Sequence, residues 1–425
     1  MTAPETYYSL TRISAPARPA LAGAADCATL VIGGGFAGIW TALELARAGE
    51  DVMVIEAETL GHGASGRNGG IVCPGFACGA EAITDRAGPE TAEALHRLSI
   101  EGVTRLREAI VRHRIAGAAP EPGLFHLRRY DSADDLKAEV AEASRRFGYR
   151  LDYLDRAALG AHLASPRYRH ALYDPNAFHI HPLNALLGLA AAVEGLGGRI
   201  HETTPALALA RTGAGWRVAT PGGAIAAARV VVATGGYTGT LVPRLRRAIL
   251  PVATYMMMTE AAPDAIAAAI RTRAALADDR RAGDYYRTVD GGRRLLWGGR
   301  ITTRAAAPGR IERELRAEMA GAYPELSGLR TERVWSGLMG YARHLMPQLG
   351  EAEPGLWHIT AFGGHGLNTT AAAGSVLAEA MLGRSRRIDL FAPFGLDWAG
   401  GPAGLLAAQL TYWKLRLQDR WRERR

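Results

Sequence analysis

The stretch Thr29 to Gly38, reading TLVIGGGFAG, sets an apolar run directly against three glycines and then a helical pattern from Phe36 to Arg47. Few sequence features constrain a fold so strongly. Gly33, Gly35 and Gly38 satisfy GxGxxG, and Phe36 and Ala37 open the helix. In this spacing the first glycine permits a tight turn. The second lets the backbone approach a diphosphate, and the third lets the helix lie on the strand. The helix N-terminus then presents N–H groups and a partial positive charge to an anion. Gly49 stops the helix and an apolar strand follows from Asp51 to Glu56, which makes a βαβ unit and requires a parallel sheet.

Glu56 closes that second strand, followed by Ala57, and lies twenty-three residues beyond Gly33. A carboxylate about 20 residues past the first glycine accepts hydrogen bonds from an adenosine ribose, and its charge disfavours a 2′-phosphate. The run Gly61 to Gly70, GHGASGRNGG, has too many glycines for a packed element. Such a segment suits a backbone wrapped on a long diphosphate and ring system, and its cost in chain entropy implies a ligand. FAD fits these features better than NAD.

The expected fold class is α/β, with a Rossmann-like βαβ nucleotide domain interleaved with a mixed or antiparallel-sheet substrate domain. An arm is expected over 1–25. The nucleotide domain is assigned to 26–87, 166–236 and 346–390, and the substrate domain to 88–165 and 237–345. Residues 391–425 form an extension with a basic amphipathic helix. Strands are expected at Arg199 to Thr203, Ala206 to Thr212, Trp216 to Thr220, Arg229 to Ala233, Tyr255 to Glu260, Tyr285 to Val289, Arg294 to Gly298 and Leu356 to Thr360. Helical sequence is expected to fill most of 88–165, and a last nucleotide-domain helix runs from about Asn368 to Leu382.

Other classes fall away on composition. The formal charge of +8 is spread among acidic neighbours, so no nucleic-acid stripe is expected. No apolar run reaches the roughly 20 residues of a membrane span, and a cytoplasmic location is the default expectation. Cys27, Cys73 and Cys78 show no zinc-type pairing, and no metal is expected. The Cys73/Cys78 spacing matches redox disulfides of flavin reductases, but no other GxGxxG set is read between a strand and a helix for a nicotinamide cofactor, so electrons are expected to enter from the substrate. Lys137 and Lys414 are the only lysines, and both lie outside the flavin motifs. The basic tail from Tyr412 is expected to pack its apolar residues on the body, with peripheral contact to an anionic membrane as the alternative.

The strings GGGFAG at 33–38, GASGRNGG at 63–70, Ala233-Thr234-Gly235-Gly236-Tyr237, Asp284-Tyr285-Tyr286-Arg287, Gly298-Gly299-Arg300 and Gly363-Gly364-His365-Gly366 occur in that order. Together they resemble the D-amino-acid oxidase superfamily of flavoproteins, nearest its γ-glutamylputrescine oxidase branch. The resemblance implies that Gly63, Ser65, Arg67, Asn68, Gly69 and Gly70 line the pyrophosphate and flavin. It places Ala206 at the adenine, and Thr234 and Gly235 near the diphosphate. Gly363, Gly364, His365, Gly366, Leu367 and Asn368 bring a helix N-terminus to the flavin pyrimidine edge. Some members attach flavin through a cysteine in the segment matching about 335 to 350. None is present here, so dissociable FAD is expected.

The chemistry implied is oxidation of a C–N bond in an amine or N-substituted amino acid, with hydride passing to flavin N5 and hydrolysis of the imine. Reoxidation is expected by O2, or else by a quinone or electron-transfer protein. A non-catalytic flavin-binding assembly or sensor protein is the rival from another class. His365, Arg300, Tyr255 and Tyr286 are the expected catalytic residues. Met256 to Met258, Trp335 and His344 are further candidates around the ring.

Overall fold

The computed structural model describes residues 5–213, 215–280, 283–303 and 308–423. Strand Ala25–Ile32 buries Leu30, Val31 and Ile32, as a central parallel strand covered on both faces must. It pairs in parallel with Val52–Ile55 on one side and Gly223–Val232 on the other. Arg199–His201 and Leu356–Thr360 extend the sheet in parallel, and Gln348–Glu353 closes one edge antiparallel. Helices Phe36–Arg47, Pro182–Gly195 and Gly366–Met381 share one core with this sheet. Gly374 allows the last of these to sit on Trp40, where an added Cβ would lie 2.7 Å from the Trp40 Cβ.

The second sheet runs Thr331–Tyr341, Leu250–Thr259, Arg294–Thr302, Tyr285–Val289, Ala275–Asp278, Glu121–Arg128, His170–His179 and Ile71–Val72, with Asp152–Leu154 beside His170–His179. It is mixed, because Ala275–Asp278 lies parallel to Glu121–Arg128 while its other pairings are antiparallel. Two differences from the sequence reading emerge. Ile71–Val72 and His170–His179, which fall in segments assigned to the nucleotide domain, belong to this second sheet. Glu121–Arg128 and Asp152–Leu154 are strands inside the stretch read as mainly helical. Pro122 and Gly123 at the start of one strand, and Asp174 and Pro175 inside another, hide the period-2 pattern.

The arm is fixed to the body rather than merely extended. A short helix Tyr7–Leu10, capped by Thr6, buries Tyr8 completely. Farther along, Arg18 makes two 2.8 Å hydrogen bonds to the Glu194 carboxylate. The final helix, Gly401–Arg422, also departs from expectation. Tyr412 and Asp419 are its buried residues, whereas Trp413, Leu417 and Trp421 are exposed. Helical geometry turns the two sets to different sides, so the apolar residues of the tail do not pack as a group on the body.

Three buried histidines give the fold a defined acid response. His179 takes a hydrogen bond at Nδ1 from Arg287 (3.1 Å) and donates from Nε2 to the Arg273 carbonyl (2.8 Å), which fixes a neutral ring. His181 accepts from the Asn184 N–H at Nδ1. Burial, followed by the nearby Arg287 charge, pushes His179 down to about 3 and His181 down to about 4. His358 is pushed to about 4 by burial and then by Arg244. With folded values below the unfolded value near 6.5, the unfolded chain binds more protons between about pH 6.5 and 4. Stability is therefore full above pH 6.5 and is lost as pH falls through that window. Asp284, raised to about 6 by burial and then by Asp278, acts in the opposite sense, as do Glu139, Asp174, Asp279 and Asp419, which burial also raises. The histidines, with His126 a fourth lowered to about 4, outweigh them because they titrate in the unfolded chain between pH 7 and 5. A fall of several kcal/mol between pH 7 and 5 is expected by urea titration at the two pH values. Equal stability would contradict this account.

Candidate active site

A cavity of about 1690 Å³ starts at the carboxyl ends of the parallel strands and reaches the second sheet and the final helix. Crevices of this kind outside the strand ends are where open α/β sheets bind ligands. Gly33, at φ 118°, turns the chain where an added Cβ would meet the Ala233 carbonyl oxygen at 2.7 Å. The Glu56 carboxylate accepts from the Gly34 N–H (2.7 Å) and the Glu58 N–H (3.0 Å) while facing the cavity. Neither the Phe36 helix nor the Gly366 helix receives a hydrogen bond from the side chain of its own N-cap residue. Both N-termini open on the cavity, which suits a bound diphosphate at one and a ring that gains negative charge at the other.

The loop between these elements is held from behind. Ser65 Oγ accepts from the Phe36 N–H (3.0 Å), joining the loop to the glycine turn. Asn68 donates to the Ala64 and Ser65 carbonyls and accepts from the Gly70 N–H. Trp335 donates its indole N–H to the Arg67 carbonyl. Arg67 itself donates to the His62 carbonyl at 2.7 Å, and burial lowers its pKa. Beneath the loop, the buried Arg287 donates to the carbonyls of Gly69 (2.7 Å) and Ile180 (2.8 Å) and to the Tyr8 hydroxyl (3.1 Å). The Tyr8 hydroxyl in turn donates to the Asn68 carbonyl at 2.7 Å. The arm and the second sheet thus meet at this loop.

Of the cofactor residues expected from sequence, Gly38 alone does not line the cavity. Its role is helix-on-strand packing, since a Cβ there would lie 2.0 Å from the Gly33 carbonyl oxygen. Gly33, Gly35, Phe36, Ala37, Glu56, Ala57, Gly63, Ser65, Arg67, Asn68, Gly69, Gly70, Ala206, Thr234, Gly235 and the whole segment Gly363 to Asn368 face one space.

The catalytic candidates fare differently. His365 lines the cavity, and burial lowers its pKa. Arg300 borders it, but its guanidinium is committed to Glu314 (3.1 Å) and Glu318 (2.7 Å), so it cannot serve as an open carboxylate clamp. Tyr255 and Tyr286 belong to a separate hydrophobic core. The Tyr255 hydroxyl bonds Thr302, and the Tyr286 hydroxyl bonds Tyr168 and Tyr323 while its ring stacks on Trp297. Strand alternation turns Tyr286 away and its neighbour Tyr285 toward the cavity. Met256 and Met258 pack in the core shared with the nucleotide domain, Met257 in that of Tyr286, and His344 bonds the Gly395 carbonyl.

Sequence reasoning missed His126, Tyr341 and the support role of Arg287. His126 is lowered to about 4 by burial, then by Arg128 and His365, and like Tyr341 it faces the cavity. Burial pushes Tyr285 up to about 12 and raises Tyr341 as well, so both stay protonated donors. Tyr285 and Arg287 sat in the quoted DYYR string, and strand alternation was the available signal. His126 carried none.

A glycine turn with a ribose-type carboxylate and two helix N-termini on one long crevice are the features of a dinucleotide-binding protein. The family profile described as DAO, FAD dependent oxidoreductase, matches residues 28–380, and the chain belongs to that family. It is an FAD-dependent oxidoreductase. The chain is 33% identical over 378 residues to gamma-glutamylputrescine oxidoreductase of Escherichia coli K12, covering 86% of each chain. It is 31% identical to a probable oxidoreductase OrdL of Haemophilus influenzae, covering 85% of this chain and 84% of that one. Glycine oxidase from Geobacillus kaustophilus has the same fold, with a TM-score of 0.71 at 24% identity over 88% of this chain and 99% of that one.

Proposed function

We propose that the chain oxidises a C–N bond of an amine or N-substituted amino acid, with oxygen as the preferred final acceptor. The flavin, when bound along the glycine loops, supplies the hydride-accepting ring. What the protein's own residues do follows from the lining near Gly69, Tyr285 and His365. Glu56 and Glu58, at the nucleotide end, are the carboxylates among the described lining residues. A substrate nitrogen entering the far end therefore meets neutral histidines and protonated tyrosines, not an ion-pair partner. Burial without such a partner favours the neutral amine, the form from which hydride leaves. His126 and His365, held neutral by burial, can accept a hydrogen bond from the substrate nitrogen and so help to orient it. Arg343, exposed where it lines the cavity, is available to a substrate carboxylate.

The observation that carries this reading is that junction of an acid-free, buried compartment with the Gly366 helix N-terminus. Non-covalent flavin is supported by Cys73 being the cysteine in the lining, with its thiol pushed up to about 12 by burial and so unreactive. Anaerobic mixing of the holoenzyme with a panel of primary amines, N-methyl amino acids and γ-glutamyl amines should bleach the yellow flavin band with at least one of them. Admission of air should then restore colour with peroxide release. Bleaching without peroxide assigns a dehydrogenase, and no bleaching by any member removes the proposal. Acid precipitation should leave all the colour in the supernatant.

A further inference from the structure

We propose that the exposed back of the helix Gly401–Arg422 docks this protein on an anionic membrane surface. Leu406, Leu410, Trp413, Leu417 and Trp421 are each more than half exposed. Their spacings of four, three, four and four residues align them on one side of the helix, the side turned away from buried Tyr412 and Asp419. Single exposed apolar side chains are ordinary on a protein surface, but a continuous row along about four turns of one helix is not. Trp398, also more than half exposed, lies just before the helix.

Charge selects the occupant. Asp419, the acidic residue of the helix, and Glu423, its C-cap, are both engaged by cations of the body rather than set along the apolar row. Asp419 is buried near the Arg129 and Arg280 cations, and Glu423 Oε1 accepts from Arg129 Nη1 at 2.8 Å. Arg416 is likewise consumed by Glu314 at 3.3 Å. Lys414 and Arg420 remain exposed on the two flanks of the apolar row, while Arg422 lies over the Tyr130 ring. A helix with Trp and Leu on one side and cations along its borders lies in the plane of a bilayer interface, apolar side inward. A second copy of this chain would bring like-charged flanks together. The row also stands on the convex back of a helix, which lipid can close around without a preformed groove. The opposite edge of the helix contributes Ala408, Thr411 and Tyr412 to the cavity wall, so the docking side is free of that duty.

The test is flotation of the full-length holoenzyme with vesicles of phosphatidylcholine mixed with phosphatidylglycerol, against phosphatidylcholine alone. Co-flotation with the anionic vesicles only, weakened by added salt, is expected. Lys414→Gln and Arg420→Gln should each lower partitioning about fivefold, the equivalent of about 1 kcal/mol per basic side chain at an anionic surface. The triple variant Leu410→Gln, Trp413→Gln, Leu417→Gln should abolish it while keeping the holoenzyme's flavin spectrum. Failure of the wild type to float, equal flotation of the triple variant, or a dimer in sedimentation that the triple variant dissolves would each overturn the proposal.

Discussion

Arg287→Met should yield a protein that has lost about 4 kcal/mol of stability and purifies with little flavin. The side chain is buried, and it donates to Gly69, Ile180, Tyr8 and His179 from beneath the loop that faces the cavity. Hydrogen bonds to a charged group contribute about 1.5–3 kcal/mol each, and removing the donor also leaves buried carbonyls without a partner. A methionine of similar length fills the volume and restores none of those bonds, so the loss reflects bonding more than a cavity. Arg287→Lys separates charge from geometry: one ammonium cannot reach the Gly69 and Ile180 carbonyls in a fixed fork, so an intermediate loss is expected. Urea unfolding and FAD titration of the apoprotein read the two effects. A methionine variant with wild-type midpoint and flavin affinity would show that Arg287 does not position the loop.

Gly38→Ala is the second large effect, and it works through a single methyl group. The new Cβ would lie 2.0 Å from the Gly33 carbonyl oxygen and 3.2 Å from Val31 Cγ1. Both neighbours belong to the central strand and its turn, so neither can yield as an exposed side chain would. Overpacking a tight interior costs about 1–3 kcal/mol, and a backbone obstacle puts this case at the upper end or beyond. Lifting the helix also moves its N-terminus from the place where a diphosphate would sit. The variant should unfold about 3 kcal/mol more easily and bind FAD at least tenfold more weakly by titration. A destabilised variant with unchanged FAD affinity would mean that the turn keeps its shape without the close packing. Gly49→Ala is a useful contrast, because no heavy atom lies within 4 Å of a Cβ there and only its positive φ of 83° opposes the change.

Legibility in the sequence was greatest where the backbone itself does the work. The βαβ unit could be read because Gly33, Gly35 and Gly38 are required by turn, approach and packing, and Glu56 by its spacing from the glycine turn, whose Gly34 N–H its carboxylate accepts. The same holds for the segments 63–70 and 363–368, whose composition excludes a packed element or marks a helix start. Reading failed where a side chain's direction decided its role. Tyr286 and Tyr285 are adjacent and chemically alike, yet one is sealed among Tyr168, Tyr323 and Trp297 while the other meets the cavity. Arg300 has the right chemistry for a carboxylate, but Glu314 and Glu318 on the next helix fold back over the strand and occupy it.

The sequence by itself determined a dinucleotide turn, a parallel sheet and the flavin family, because those depend on local backbone freedom and on apolar periods that a chain carries wherever it goes. Tertiary structure alone decided which cations are free, which tyrosines face substrate, that His126 stands near His365, and that the final helix shows its tryptophans to solvent. These depend on which distant segments arrive at each side chain, and burial and pairing exist only once they have met.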